Sequence, residues 1–101
     1  MPRQNQHNYF TYITTNKRHT VFYVGVTNSL ERRVWQHKHR TTNSFTKRYN
    51  VDKLVYYEHF DFIESAIEQE KKFKKLSRRN KVLLITKFNP EWKDLFSEFP
   101  E

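Results

Sequence analysis

The sequence predicts a mixed α/β domain of three strands and three or four helices. Three short runs dense in aromatic and β-branched residues mark the strands, and one longer segment with apolar positions at helical spacing marks the main helix. With 101 residues the chain can bury one modest core but not two, so a single domain over 1–101 is expected, its core covering about residues 8–90.

Tyr9-Phe10-Thr11-Tyr12-Ile13-Thr14 reads as the first strand and Val21 to Val26 as the second. The polar Asn16-Lys17-Arg18-His19 between them lacks the Asn-Gly or Asp-Gly of the tightest hairpins. A turn centred between Lys17 and Arg18 sets Tyr12 opposite Tyr23, with Cβ atoms roughly 5 Å apart on one face, and Gly25 opposite Phe10. An error of one residue in that turn would undo the pairing.

In Thr27-Asn28-Ser29-Leu30-Glu31, Asn28 is placed to cap a helix, with Glu31 reaching back as in a capping box. The helix that follows, about Ser29 to Lys38, carries Leu30 and Val34 on an apolar edge and stacks Arg33 and His37 on one face. Thr41 to Asn50 is polar, with one helical turn expected around Phe45-Thr46-Lys47-Arg48, and Leu54 to Phe60 is a third strand. Ile63 to Ser77 is the clearest helix, with Ile63, Ala66, Ile67, Phe73 and Leu76 at or near helical spacing. A basic helix over Arg78 to Lys87 is expected to bury Val82, Leu83 and Ile85, and Asn89-Pro90 ends it. Glu91 to Phe96 makes a last aromatic turn; there is no linker, repeat or low-complexity tract.

Lys+Arg number 19 against 11 Asp+Glu, a formal charge of +8 that favours a polyanion as partner. The aromatic fraction of 17% adds stacking surface that solubility alone does not require. No cysteine is present, which excludes disulfides, thiolate zinc sites and cysteine nucleophiles and leaves oxygen or imidazole as metal ligands. Met1 to Asn8 has no apolar core of a signal peptide, and the longest aliphatic run, Val82 to Ile85, is too short to cross a bilayer. A cytoplasmic protein without a membrane partner is expected, and no protein partner is identifiable.

The single glycine, Gly25, lies within the second strand. Glycine weakens a strand interior, so it is expected where a bulge is needed or where a ligand or backbone approaches closely. Here it stands beside tyrosines and leads into a basic helix, which points to a phosphate backbone as the approaching group. Glu70, four residues after Ala66 and three before Phe73, falls on or beside the apolar stripe of its helix. A carboxylate there requires a cation or several hydrogen bonds, or else it protonates. It also reads plainly as a stripe-edge glutamate, leaning into solvent or bridging to Lys74. Arg33 likewise reads as a stem laid over Leu30 and Val34 with its head in water, and His37 as a surface imidazole. His37 and His39, two apart on a helix, point in different directions and make no zinc site.

Taken together, Tyr12, Tyr23-Val24-Gly25, Arg33, His37 and Glu70 resemble the GIY-YIG nuclease superfamily, in particular its compact single-domain bacterial (URI-type) branch, over roughly residues 9 to 90. The family's first triplet matches Phe10-Thr11-Tyr12 and its second matches Tyr23-Val24-Gly25. Its catalytic arginine, eight residues after that glycine and four before a histidine, matches Arg33 rather than Arg32, and its metal-binding glutamate matches Glu70. The departure is Phe-Thr-Tyr in place of Gly-Ile-Tyr, which keeps the tyrosine and alters how closely DNA approaches that strand.

The resemblance implies a small, mainly antiparallel three-stranded sheet flanked by helices. It implies hydrolysis of phosphodiester bonds, in DNA more than RNA, with one divalent cation, Mg²⁺ or Mn²⁺, held by Glu70. Arg33 would stabilise the charge of the pentacovalent phosphate, and Tyr12, Tyr23 or His37 would position or deprotonate the attacking water. Repair, recombination or processing of DNA is the implied setting. Relatives with a defined biology usually carry a further domain, for which this chain has no room. A catalytically silent nucleic-acid-binding module and a partner-binding protein are the alternatives.

On charge alone Lys71, Lys72, Lys74, Lys75, Arg78 and Arg79 are candidate phosphate contacts, with Lys71, Lys74 and Arg78 joining Gly25 as the expected substrate-binding residues; such a run also reads as a solvated helix face. Affinity for duplex DNA is therefore expected to fall steeply with salt, by about 0.9 in log–log slope for each phosphate neutralised. A flat response between low and physiological ionic strength, measured by fluorescence anisotropy, would instead favour a protein partner.

Overall fold

The hairpin turn is centred one residue later than its sequence suggests, between Arg18 and His19, and Asn16 organises it. In the computed structural model, which describes residues 8–38 and 51–98, the Asn16 Oδ1 accepts from the backbone N–H of Thr20 at 2.8 Å and of Val21 at 3.2 Å. The His19 N–H reaches the Asn16 carbonyl at 3.0 Å, and His19 takes a positive φ of 58°. This loop joins β1 (Tyr9–Thr15) to β2 (Phe22–Thr27), and the ladder sets Tyr12 opposite Gly25, Thr14 opposite Tyr23 and Phe10 opposite Thr27. The expected pairings of Tyr12 with Tyr23 and of Phe10 with Gly25 are therefore two residues out of register. An even slip preserves the face, since side chains alternate with a period of two, so Tyr12 and Tyr23 remain diagonal neighbours on one side.

β3 (Lys53–Phe60) pairs antiparallel with the other edge of β1, giving the order β2-β1-β3. A register shift at Ile13/Thr14 leaves Val55 as an extra residue, so that Val55 and Tyr56 join the same core cluster. The sheet buries both faces. On one, Tyr12 and Leu54 meet Leu30 of α1 (Leu30–Lys38) and Leu95 and Phe96 of a short 3₁₀ turn (Leu95–Glu98). On the other, Ile13, Val24, Val55 and Tyr56 meet Phe73 of α2 (Ile63–Lys75) and Ile85 of α3 (Arg78–Phe88).

Local chemistry sets the helix ends. Ser29, not Asn28, caps α1: its Oγ accepts from the Arg32 N–H at 3.0 Å, while Thr27 Oγ1 accepts from the Ser29 N–H at 3.1 Å. α2 stops at Lys75, short of the expected Ser77, because Ser77 caps α3 by accepting from the Asn80 N–H at 3.1 Å. The inward stripe of α2 runs through Ala66 and Phe73, with the Ala66 carbonyl accepting from buried Thr11 Oγ1 at 2.7 Å. Ile63 and Ile67, expected inside, are exposed, and so is Leu83 of α3, whose place beside Ile85 is taken by Leu84. Buried Asn89 ends α3 and ties the C-terminal segment to β3, donating to the carbonyls of Val55 and Lys93. The helical turn expected around residues 45–48 lies outside the described residues.

His19 stacks on Trp92 at 4.4 Å between centroids, and the Lys53 ammonium donates to its Nε2 at 3.0 Å. Burial, and then the Lys53 charge, hold this imidazole below its ordinary 6.5. Folding thus favours the neutral ring, and the unfolded chain binds the proton more readily. The resulting stability is complete above the unfolded value and lost as pH falls through the lower folded one. In urea melts, stability is expected to drop between pH 7 and 5 less steeply for His19→Asn, which tolerates the left-handed backbone, than for the parent chain. Parallel slopes would show that His19 is not linked to folding.

Candidate active site

Gly25 is where the site begins. A Cβ built there would lie 2.6 Å from Tyr12 Oη, 2.7 Å from Tyr12 Cζ and 2.9 Å from Tyr23 Cε2. The approach that demands glycine is thus made by the ring of its own ladder partner, and the space that the sequence left for a phosphate backbone is filled by tyrosine. Gly25 itself is buried. The Tyr12 and Tyr23 rings stand 6.2 Å apart, tilted at 45°, with their phenols hydrogen-bonded.

Arg33 reaches over this pair from α1. With Leu30 anchored in the core, helical phasing brings the residue three positions on to the same side, and the guanidinium carbon sits 5.4 Å from the centre of the Tyr12 ring. A cation over an aromatic face is held by the ring quadrupole, by ~0.5–2 kcal/mol according to desolvation. Arg33 Nη1 donates to Gln36 Oε1 at 2.9 Å, while its buried Nε has no hydrogen-bond acceptor among the described residues. Arg32 is exposed. His37 falls one helical turn after Arg33, and its side chain lies outside the described residues.

Glu70 is largely buried at the side chain, 21% exposed, and pairs with Lys74 Nζ at 3.2 Å. The bridge read from sequence is therefore present, and the same carboxylate also acts on Tyr12. Burial pushes the Tyr12 phenol up to about 12; Arg33 opposes this, and the Tyr23 contact and the Glu70 charge add to it. At neutral pH Tyr12 is a neutral hydrogen-bond donor and acceptor. The structure thus gathers Tyr12, Tyr23, Gly25, Arg33 and Glu70.

The expected phosphate contacts divide. Lys71 is exposed, Lys74 is engaged by Glu70, and Arg78, also exposed, donates to the carbonyls of His19 and Thr20 and lies 5.4 Å from the Phe22 ring centre. Two residues of the site escaped the sequence reading. Gln36, which holds Arg33, is marked only by its i+3 spacing; Tyr57, directly opposite Tyr12 on β3, needed the register.

No group of three or more His, Asp or Glu side chains comes together among the described residues. Among the described residues, Glu70 is the carboxylate that would hold a metal ion here, with water and substrate oxygens in its shell. That donor set suits Mg²⁺, which dehydrates reluctantly and keeps several waters.

The profile of the GIY-YIG catalytic domain matches residues 8–83. The UPF0213 protein CPE1444 of Clostridium perfringens is 38% identical over 64 residues, covering 63% of this chain and 69% of that protein. The UPF0213 protein YazA of Bacillus subtilis is 35% identical over 78 residues, 77% of this chain and 78% of YazA. Among solved structures, the solution NMR structure of the UPF0213 protein BH0048 from Bacillus halodurans superposes with a TM-score of 0.56 at 28% identity, covering 86% of this chain and 92% of the other. The three-stranded antiparallel sheet with its helices is common to both.

Gly25→Ala tests the tyrosine seat. Two rigid rings must move to admit the methyl group, so the variant is expected to lose about 1–3 kcal/mol of stability, the usual range for overpacking a core. Urea denaturation measures it. Parent-like stability would mean that the rings give way without strain.

Proposed function

This chain belongs to the GIY-YIG family, and on that premise we propose that it is a metal-dependent endonuclease hydrolysing phosphodiester bonds of DNA. The observation that carries the reading is Arg33, held over a neutral buried phenol, its Nε donor without an acceptor among the described residues and the Glu70 carboxylate near the same ring. A cytoplasmic role in DNA repair, recombination or processing belongs to the same proposal.

Water attacks phosphorus as the bond to the leaving nucleotide oxygen breaks; one proton leaves the water and one returns to the leaving group. Arg33 meets the extra negative charge of the pentacovalent phosphate, for which its planar fork suits two oxygens. With no metal bound, burial keeps Tyr12 neutral, and it donates a hydrogen bond to water or phosphate. Removal of the water's proton falls to Tyr23, to His37, or to Tyr12 once a bound cation lowers the pKa of its phenol. Glu70 would hold Mg²⁺ or Mn²⁺, which when bound would supply Lewis-acid stabilisation and a more acidic water. The partly exposed Lys74 pair is weak enough to yield to a divalent ion.

The test is incubation of the protein with single-stranded, duplex, branched and flapped DNA and Mg²⁺ or Mn²⁺. Glu70→Ala, Glu70→Gln and Arg33→Ala are each expected to lower cleavage by roughly 10²–10³ while leaving metal-free DNA binding nearly unchanged. None should unfold the domain, since Ala66 and Phe73 still pack α2. Undiminished cleavage by Glu70→Ala would make the carboxylate a structural partner of Lys74. Binding of DNA without cleavage by the parent chain would make the domain a silent binding module.

A further inference from the structure

Asn28 and Glu31 are released from the capping box that their spacing suggests, because Ser29 caps α1. Both side chains are exposed, and neither has a hydrogen bond or ion pair among the described residues. They instead line a cavity of about 230 Å³ that is walled by Phe10 and Tyr57 and also bordered by Asn8. The two rings meet edge to face at 6.5 Å. Asn8 accepts from His59 Nε2 through its Oδ1 at 2.8 Å, which leaves its amide N–H groups as donors.

The cavity adjoins the site on its β3 side. Tyr57 stands directly opposite Tyr12 in the ladder, a cross-strand step of roughly 5 Å, and Tyr12 carries the Arg33 guanidinium. Leu30, three residues before Arg33 and therefore on the same side of α1, also borders the cavity. A group seated here therefore belongs to the nucleotide next to a phosphate held by Arg33.

The geometry points to a nucleobase subsite that takes an unpaired, amino-bearing base, guanine foremost, of the nucleotide adjoining the cleaved bond; this rests on the nuclease reading above. Aromatic walls suit a planar heterocycle. Two carboxamides offer both donors and acceptors, and Glu31 offers acceptors only. Guanine presents two adjacent N–H donors, N1–H and N2–H, to such a carboxylate, and adenine and cytosine present an exocyclic amine. Thymine presents carbonyl oxygens on both sides of its single N–H, which a carboxylate repels. These edges are exposed only when the base is out of its pair. The substrate is thus DNA with an unpaired nucleotide beside the scissile phosphate: a single strand, bulge or flap.

The experiment is an NMR titration of the parent chain and of Glu31→Ala with the 5′-monophosphates of deoxyguanosine and thymidine, with deoxyribose 5-phosphate as the base-free control. A single-stranded oligonucleotide at low salt provides the independent check on nucleic-acid binding. The expected result is that the guanine nucleotide binds at least about fivefold tighter than the thymine one, the low end of what a bidentate base contact supplies. The shifts should include the Asn8 and Asn28 amides and the Phe10 and Tyr57 rings, and Glu31→Ala should abolish the preference. Equal affinity for the three small ligands, with oligonucleotide binding intact, would overturn the subsite and leave the nuclease reading standing. Absence of oligonucleotide binding would overturn both.

Discussion

The contact between Tyr12 and Gly25 is the constraint on which the rest of the site depends. Tyr12 lies in the central strand with its ring across the one position in β2 that has no Cβ. Any side chain at residue 25 would lift that ring, and with it the surface on which Arg33 rests. The seat also explains how a buried tyrosine is satisfied, since its hydroxyl meets Tyr23 from the same strand as the glycine. One missing methyl group thus links sheet register, packing of the α1 face and placement of the guanidinium.

The charges separate into those that hold the fold and those left for chemistry. Arg78 fastens the start of α3 to the hairpin turn, and Lys53 is bonded to His19. Lys74 balances Glu70. The Lys74–Glu70 pair is already cancelled within the net +8, while Arg78 and Lys53, bonded to neutral acceptors, keep their charge. Arg33 differs from Lys74: among the described residues its supports are a neutral ring and a carboxamide, neither of which neutralises it. A cation that is positioned without being paired retains its field for a developing anion, which is the condition for electrostatic catalysis without reorganisation.

Position on the sheet gives the two cores different roles. Helices α2 and α3 close one face with aliphatic and aromatic packing, and the other is closed by α1 and the C-terminal turn. Asp94 fixes that turn by accepting from the N–H groups of Leu54 and Phe96. The catalytic candidates of β1, β2 and α1 lie on this second face, beside the cavity bordered by Phe10 and Tyr57. Chemistry and substrate selection can then share a surface whose support comes from across the sheet.

By itself the sequence determined the three strands and the helices, expected over about 29–38, 63–77 and 78–87, because each rests on local periodicity; Tyr12, Tyr23, Gly25, Arg33 and Glu70 were singled out as a set by resemblance to a family. The face shared by Tyr12 and Tyr23 was legible too, since alternation survives an even slip in register. Tertiary structure decided what was non-local. The register itself depended on Asn16 folding back on Thr20 and Val21, a side-chain geometry that residue type does not specify. The choice of Ser29 over Asn28 as cap, and of Ala66 over Ile63 and Ile67 as the buried side of α2, followed from where the sheet lay. The reason for the glycine was likewise decided in three dimensions. A strand glycine announces a close approach, and only the partner strand reveals that the approaching group is a tyrosine ring.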